Sequence, residues 1–232
     1  MTRASGLRRA ALALVLAAGV CGAGTATLFD FVTFDGIDYI RWSDEPGRGL
    51  ARADLGAEFA TVACSIGEDV RGGCSYGMDA AAAYLPAGTP LYAVRGYATE
   101  FRLAAAWRGR LLLYQAWRNP RARVGGDLFD VAGRVREIDV RRHHGPRPPG
   151  GAGAPARITS PGDVEGLMVM ILRGSVGRPT PPSADAPQYW LTLWMADGTT
   201  LGRPYFADSG EMMGGVRLPS EFRAALDRHL PD

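Results

Sequence analysis

Apolar and polar residues alternate first in "TLFDFVTFDGIDYIRW". Phe29, Phe31 and Thr33 fall on one face, and Val32 and Phe34 on the other. Asp35-Gly36 supplies residues that a tight primed turn accepts, so the stretch predicts a hairpin. "AEFATVACS" predicts a third strand over 57–65, and "MDAAAAYL" a short helical turn stopped by Pro86 and Gly88. The strongest period-2 signal of the first half is "TPLYAVRGYATEFRLAAAWRGRLLLYQAW". It predicts strands over about 90–95, 101–107 and 110–117, turning at Arg108-Gly109 and forming an antiparallel meander. Leu103, Ala105 and Trp107 share a face of the middle strand; Leu111, Leu113 and Trp117 share one on the next. "NPRARVGGDLFDVAG" breaks the pattern, and "RVREIDVRR" restores it.

The Pro/Gly-rich run "HHGPRPPGGAGAPA" predicts a loop or linker over 143–157, between a β-rich region at 27–142 and an α+β region at 158–232. In the second region Val164, Leu167, Met168, Ile171 and Leu172 follow the i, i+3, i+4, i+7, i+8 spacing of a helix. Ser160 stands as N-cap, Pro161 as N1, Asp163 as capping carboxylate, and Gly174 as the stop. "QYWLTLWMADGTTLGRPYF" predicts a hairpin turning at Asp197-Gly198, and "GGVRL" a third strand near 214–218. "PSEFRAALDRHL" predicts a helix over 219–230. On the first strand of that hairpin Trp190 and Trp194 share one face. Tyr189, Leu191, Leu193 and Met195 share the other. A strand apolar on both faces belongs inside a covered sheet. The fold class is therefore α+β: mainly antiparallel β meanders with two short helices packed on the sheet.

Compartment comes from the N-terminus. Arg3, Arg8 and Arg9 precede an apolar run at Ala10–Val20, the layout of an export signal. Gly24-Thr25-Ala26 suits a leader peptidase, giving a signal peptide or N-terminal anchor over 1–26. Three readings remain open for Cys21: discarded with a cleaved leader, held in a retained anchor, or lipidated. Val20 separates Gly19 from Cys21 and interrupts a lipoprotein-type cleavage box. All three readings place the body of the chain outside the cytoplasm and allow membrane attachment through the N-terminus. There, Cys64 and Cys74 are expected to form a disulfide across a Gly-rich loop.

Charge excludes some functions. Without Arg3, Arg8 and Arg9 the chain holds 23 basic against 24 acidic residues, with no basic stripe for nucleic acid. Every basic residue is arginine. Schiff-base lysines, P-loop lysines and Ser-Lys dyads are thus absent. No cofactor motif is present. His143-His144, with His229, Glu137 and Asp139, lacks metal-ligand spacing, because strand neighbours point to opposite faces. Asp208, Ser209 and Glu211 read as a turn. Two function classes stand ahead of a third, a purely structural surface protein. The first is a non-catalytic module that binds an envelope or protein partner, with Trp190 and Trp194 as candidate ligand contacts. The second is a secreted hydrolase of wall material that uses carboxylates among Asp127, Asp130, Glu137 and Asp139. No catalytic residue is assigned.

The runs "LPAGTPLYAVRGY", "FRLAAAWRGRLLLYQAWRNP" and "YWLTLWMADGTTLGRPYFADSGEMMGGVRLPSEFRAAL" carry a resemblance. Leu85-Pro86-Ala87-Gly88-Thr89, Gly96-Tyr97, Ala196-Asp197-Gly198-Thr199 and Leu218-Pro219 are its motifs. From about Phe31 to Leu226 the chain resembles an uncharacterised family of exported proteins and lipoproteins of Gram-positive, actinobacterial-type bacteria. The resemblance implies export and one composite fold, and supplies no catalytic residues.

Overall fold

Strands β1 (Asp30–Phe34) and β2 (Ile37–Arg41) form the expected hairpin. Asp35 and Gly36 adopt φ of 51° and 70°, the left-handed pair that a primed turn demands. Arg108 and Gly109, at 50° and 72°, repeat the device. The computed structural model describes residues 29–42, 46–69, 72–143, 154–181 and 188–230. The leader with Cys21, most of the 143–157 linker and His144 lie outside the described residues.

The first sheet adds β3 (Leu55–Thr61), β4 (Cys64–Ser65), β5 (Ala81–Ala82), β6 (Pro90–Val94), β7 (Arg102–Trp107) and β8 (Arg110–Arg118). Its order is β3-β6-β7-β8-β2-β1-β5-β4. The two outermost strands, β3 and β4, belong to one bent segment separated by Val62 and Ala63 alone. Val62 donates its N–H to Thr89 O beside β6, and Ala63 donates to Ala80 O beside β5. The segment therefore closes the sheet on itself as a small barrel, which leaves few edges for stray pairing. Its interior holds Val32, Ile37, Tyr39, Val62, Leu91, Leu103, Ala105, Leu112 and Tyr114, all buried.

One expectation fails here. "MDAAAAYL" forms no helix: Ala81 and Ala82 are strand residues, fully buried beside β1 and β4. Small side chains fit that crowded seam, and packing outweighs helix propensity. On β8 the inward set is Leu112, Tyr114 and Ala116, which oppose Ala105 and Leu103 on β7 and Tyr39 on β2. Leu111, Leu113 and Trp117 line the outer wall.

The second sheet comprises β9 (Val135–His143), β10 (Ala156–Ile158), β11 (Ser175–Val176), β12 (Gln188–Met195), β13 (Thr200–Phe206), β14 (Glu211–Met212) and β15 (Val216–Arg217). Its order is β10-β9-β12-β13-β14-β15-β11. Strand β9, expected in the N-terminal region, pairs along its length with β12. The change of sheet thus falls between Arg118 and Val135 and not in the Pro/Gly run at 143–157. That run joins β9 to its own antiparallel neighbour β10.

Helix α2 (Pro161–Arg173) matches its expected bounds and buries Val164, Leu167, Met168 and Ile171. Ser160 sits at the N-cap position, but its hydroxyl makes no capping bond. Gly174 ends the helix for a packing reason. Its φ is −55°, and a Cβ there would lie 2.7 Å from Arg217 O and 2.8 Å from a Val216 methyl. Helix α3 (Ser220–Asp227) is shorter than expected and presents Phe222 and Leu226 to the sheet. A third helix, α1 (Gly125–Leu128), occupies the segment that broke the strand pattern. A Cβ on Gly125 would lie 2.0 Å from Ile171 O, so glycine is what lets α1 meet α2.

The layers are thus barrel, sheet and helices. Tyr205 packs edge-on against Phe222 of α3 at 5.0 Å, and Tyr189 donates to Asp227 at 2.7 Å. On the opposite face Trp190 meets Trp42 and Ile40 of the barrel wall. Strand β12 is covered on both sides from Gln188 to Leu193, and Trp194 near its end is half-buried.

Three polar side chains fasten barrel to sheet. Arg102, fully buried, donates to Thr199 Oγ1 (2.8 Å) and Thr200 O (3.0 Å) and stacks on Tyr97 and Phe101. Gln115 donates to Thr200 O at 2.6 Å. Arg203, also fully buried, donates to Ala116 O at 2.8 Å. Arg102→Ala removes two charge-assisted bonds and leaves a void. It should lower the unfolding free energy by about 3 kcal/mol in urea titration. A loss near zero would show the fastening to be dispensable.

Candidate functional site

The disulfide expected between Cys64 and Cys74 is formed, with a Cα–Cα distance of 5.9 Å. Asp69 accepts the Cys74 N–H within the loop it closes. Tyr76, two residues after Cys74, packs on Phe31 and donates to Asp38 at 2.7 Å. Asp38 is fully buried and also accepts from Thr33 (2.8 Å) and Arg118 (2.6 Å). Burial, then the Asp38 hydrogen bond and charge, push the Tyr76 hydroxyl well above its ordinary range. It therefore stays a donor. This group holds the loop to the barrel, and every carboxylate bond in it is structural.

The four carboxylates at 127–139 separate into distinct places. Asp127 caps α1, accepting the N–H groups of Arg123 (2.8 Å) and Val124 (3.1 Å). Those bonds hold its carboxyl below the usual range. Asp130 accepts Ala98 N–H at 2.9 Å and lies 3.8 Å from Arg134. Glu137 and Asp139 alone come together, on the barrel-facing side of β9.

That face carries the candidate site. Residues i and i+2 of a strand share a side, so Glu137, Asp139 and Arg141 align along β9. Thr192 opposes Asp139 on β12, Trp194 opposes Glu137, and Arg157 of β10 opposes Asp139 from the other flank. Asp139 takes the Trp194 indole N–H on one oxygen (3.0 Å) and Arg157 Nε on the other (3.2 Å). Glu137 Oε1 lies 2.9 Å from the same Nε. The Asp139 side chain is 10% exposed, Glu137 25% and Arg157 57%. Trp194 is half-buried. The result is a ledge at the margin of the barrel contact: an indole fixed by a carboxylate, an exposed guanidinium held from behind, and a partly open carboxylate. A planar aromatic face beside fixed donors and acceptors suits a ligand with both apolar and hydroxyl-bearing surfaces.

The two tryptophans named together in the sequence part company here. Trp194 reaches the ledge. Trp190 is 4% exposed, its ring edge-on to Trp42 at 5.3 Å, and offers no open face. Glu137 and Asp139 do not face each other across a gap as paired glycosidic carboxylates do; both turn to one guanidinium. His229 lies across the molecule, 3.9 Å from Asp163. No group of three His, Cys, Asp or Glu side chains able to hold a metal occurs among the described residues. Among them, no helix is long and apolar enough to cross a membrane. Arg157 escaped sequence reading because it sits beside the Pro/Gly run. Only the β9–β10 pairing brings it to Asp139.

A second polar cluster lies where the loops of both sheets meet. Asp197 accepts Tyr97 OH (2.8 Å), Thr199 N–H (2.9 Å) and Thr199 Oγ1–H (2.7 Å). Arg48 grips the same turn through Asp197 O (3.0 Å), and its Nη1 donates to Asp54 at 2.7 Å.

Comparison of the chain with family profiles, with curated proteins and with solved structures found no match. The site therefore stands on its own geometry.

Burial acts to raise the Asp197 carboxyl, but the Thr199 and Tyr97 hydrogen bonds together hold it below its usual range. A carboxyl lowered by folding contributes stability above its unfolded value of about 3.9. That contribution is lost as pH falls through the folded value. Asp197→Asn should lower stability at neutral pH and flatten its fall between about pH 5 and pH 2, measured by urea titration across pH. Identical acid limbs in both proteins would overturn the assignment.

Proposed function

We propose that this protein is an exported cell-envelope module that binds a saccharide component of the envelope through the Trp194 ledge. The observation that carries the reading is the fixed arrangement of Trp194, Asp139, Arg157 and Glu137. Sugar rings present apolar C–H faces to stack on an aromatic plane, and hydroxyls that pair with carboxylate and guanidinium groups. An indole held by its own N–H is pre-oriented for such stacking, which reduces the ordering cost of binding.

Two features support the extracytoplasmic location: the leader-like pattern at 1–26, and a disulfide whose thiols a reducing cytoplasm would keep apart. Membership of the exported actinobacterial-type family that the chain resembles, and lipidation at Cys21, belong to the same proposal. Intact-mass spectrometry of the protein from its own cells tests them together. Loss of the mass of 1–20 with a diacylglycerol addition identifies Cys21 as the lipidated N-terminus. A full-length mass with free thiols would overturn the export reading.

The alternative, a secreted hydrolase, draws on the partly open Glu137 beside Asp139. Their shared grip on Arg157 favours binding, because both carboxylates turn to one guanidinium and do not flank a gap that a glycosidic bond could enter.

Trp194→Ala should weaken binding to purified envelope polysaccharide at least about tenfold, a change of 1.4 kcal/mol. Asp139 keeps Arg157 in that variant, so the fold should survive, as circular dichroism can verify. Unchanged binding by a folded Trp194→Ala, or no binding by the parent protein, would sink the proposal. Turnover of wall fragments that disappears in Glu137→Gln would replace it with the hydrolase.

A further inference from the structure

Arg141 lies on the same face of β9 as Asp139, two residues further on, and directly opposite Trp190. It is half-buried. A guanidinium in that setting ordinarily finds a carboxylate or carbonyl, yet Arg141 makes no hydrogen bond or ion pair with any described residue. The nearest carboxylate along the strand is Asp139, and each of its oxygens already accepts one donor, from Trp194 and Arg157. Glu137 stands four residues away, about 13 Å along an extended strand, and lies against Arg157. Arg142 projects to the other face.

Arg157 completes the picture from β10. It pairs with Asp139 in register, which makes it a diagonal neighbour of Arg141, about 7–8 Å away. Its bond to Asp139 uses Nε alone. Its Nη groups donate to no described residue, and the side chain is 57% exposed. Two carboxylates behind Nε fix the fork, while Arg141, diagonal to it in register, has a charge that no described residue offsets. One flank of Arg141 is the apolar Trp190–Trp42 wall, which lowers the local dielectric and strengthens attraction for an anion.

We infer that Arg141 and the Nη groups of Arg157 form an anion subsite further along β9 from Trp194, so that the ligand is an acidic saccharide bearing a carboxylate or a phosphate. This rests on the saccharide reading above and adds the charge of the ligand. Guanidinium groups take both anions through paired N–H donors. Asp139 and Glu137 then have two roles: they orient Arg157, and they repel an anion that approaches from the wrong side.

The experiment is titration calorimetry of the full chain with three sets of oligosaccharides: neutral, uronate-bearing and phosphate-bearing. The parent protein should bind an acidic set at least about tenfold more tightly than the neutral set, and the preference should weaken with added salt. Which acidic set binds more tightly identifies the anion. Arg141→Gln should bring the ratio of acidic to neutral affinity close to one. That variant breaks no bond, so its melting temperature should match the parent's. Equal affinity for neutral and acidic sugars in the parent, or an undiminished ratio in a folded Arg141→Gln, would overturn the inference while leaving the saccharide reading intact. Absence of binding to all three sets would overturn that reading itself.

Discussion

A guanidinium with no access to water joins the barrel to the second sheet. Arg102 grows from the outer wall of β7, lies on the Tyr97 ring, and reaches the start of β13. Burying a charge is costly, and here two Nη hydrogen bonds and two aromatic faces offset it. The contact therefore specifies one register of sheet against barrel. Everything else on that interface follows it. Gln115 meets the same carbonyl as Arg102, and Trp190 settles against Trp42 further along. The fastening runs along β13, and on its β9 side Trp194 and β9 are left partly uncovered. The ledge exists because the barrel covers only part of the sheet.

Local patterns in the chain were legible where one element decides its own conformation. The hairpin at Asp35-Gly36, the β6–β8 meander, the α2 span and the double-sided apolar pattern of β12 are of this kind. Turn chemistry and periodicity act within a few residues. What was hidden depended on partners distant in sequence. Ala81 and Ala82 favour helix locally but fill a barrel seam. Strand β9 stands before the Pro/Gly run yet serves the sheet that follows it. Closure of the barrel through a bent strand has no sequence signature at all.

The same division holds for the site. Trp194, Glu137 and Asp139 were each visible as residue types suited to binding or acid–base work. Their convergence was not, because strand pairing across about fifty residues creates it. Trp190 shows the reverse: identical to Trp194 in type and strand face, it is covered by Trp42 of the barrel wall, whereas Trp194 stays half-buried. Arg141 and Arg157 gained meaning only once register placed them diagonally on one face.

The β2–β8 ladder brings Asp38 beside Arg118, 80 residues apart in the chain. Synthesis delivers the N-terminal strands first, so β1 and β2 must wait for more than a third of the chain before their barrel can close. In that interval Phe31, Val32, Ile37 and Ile40 have no core to enter. Non-local pairings of this kind slow folding and expose apolar strands to misassembly. The nascent chain therefore passes through a vulnerable stage set by topology, and that stage ends only when Arg118 arrives to neutralise the carboxylate waiting on β2.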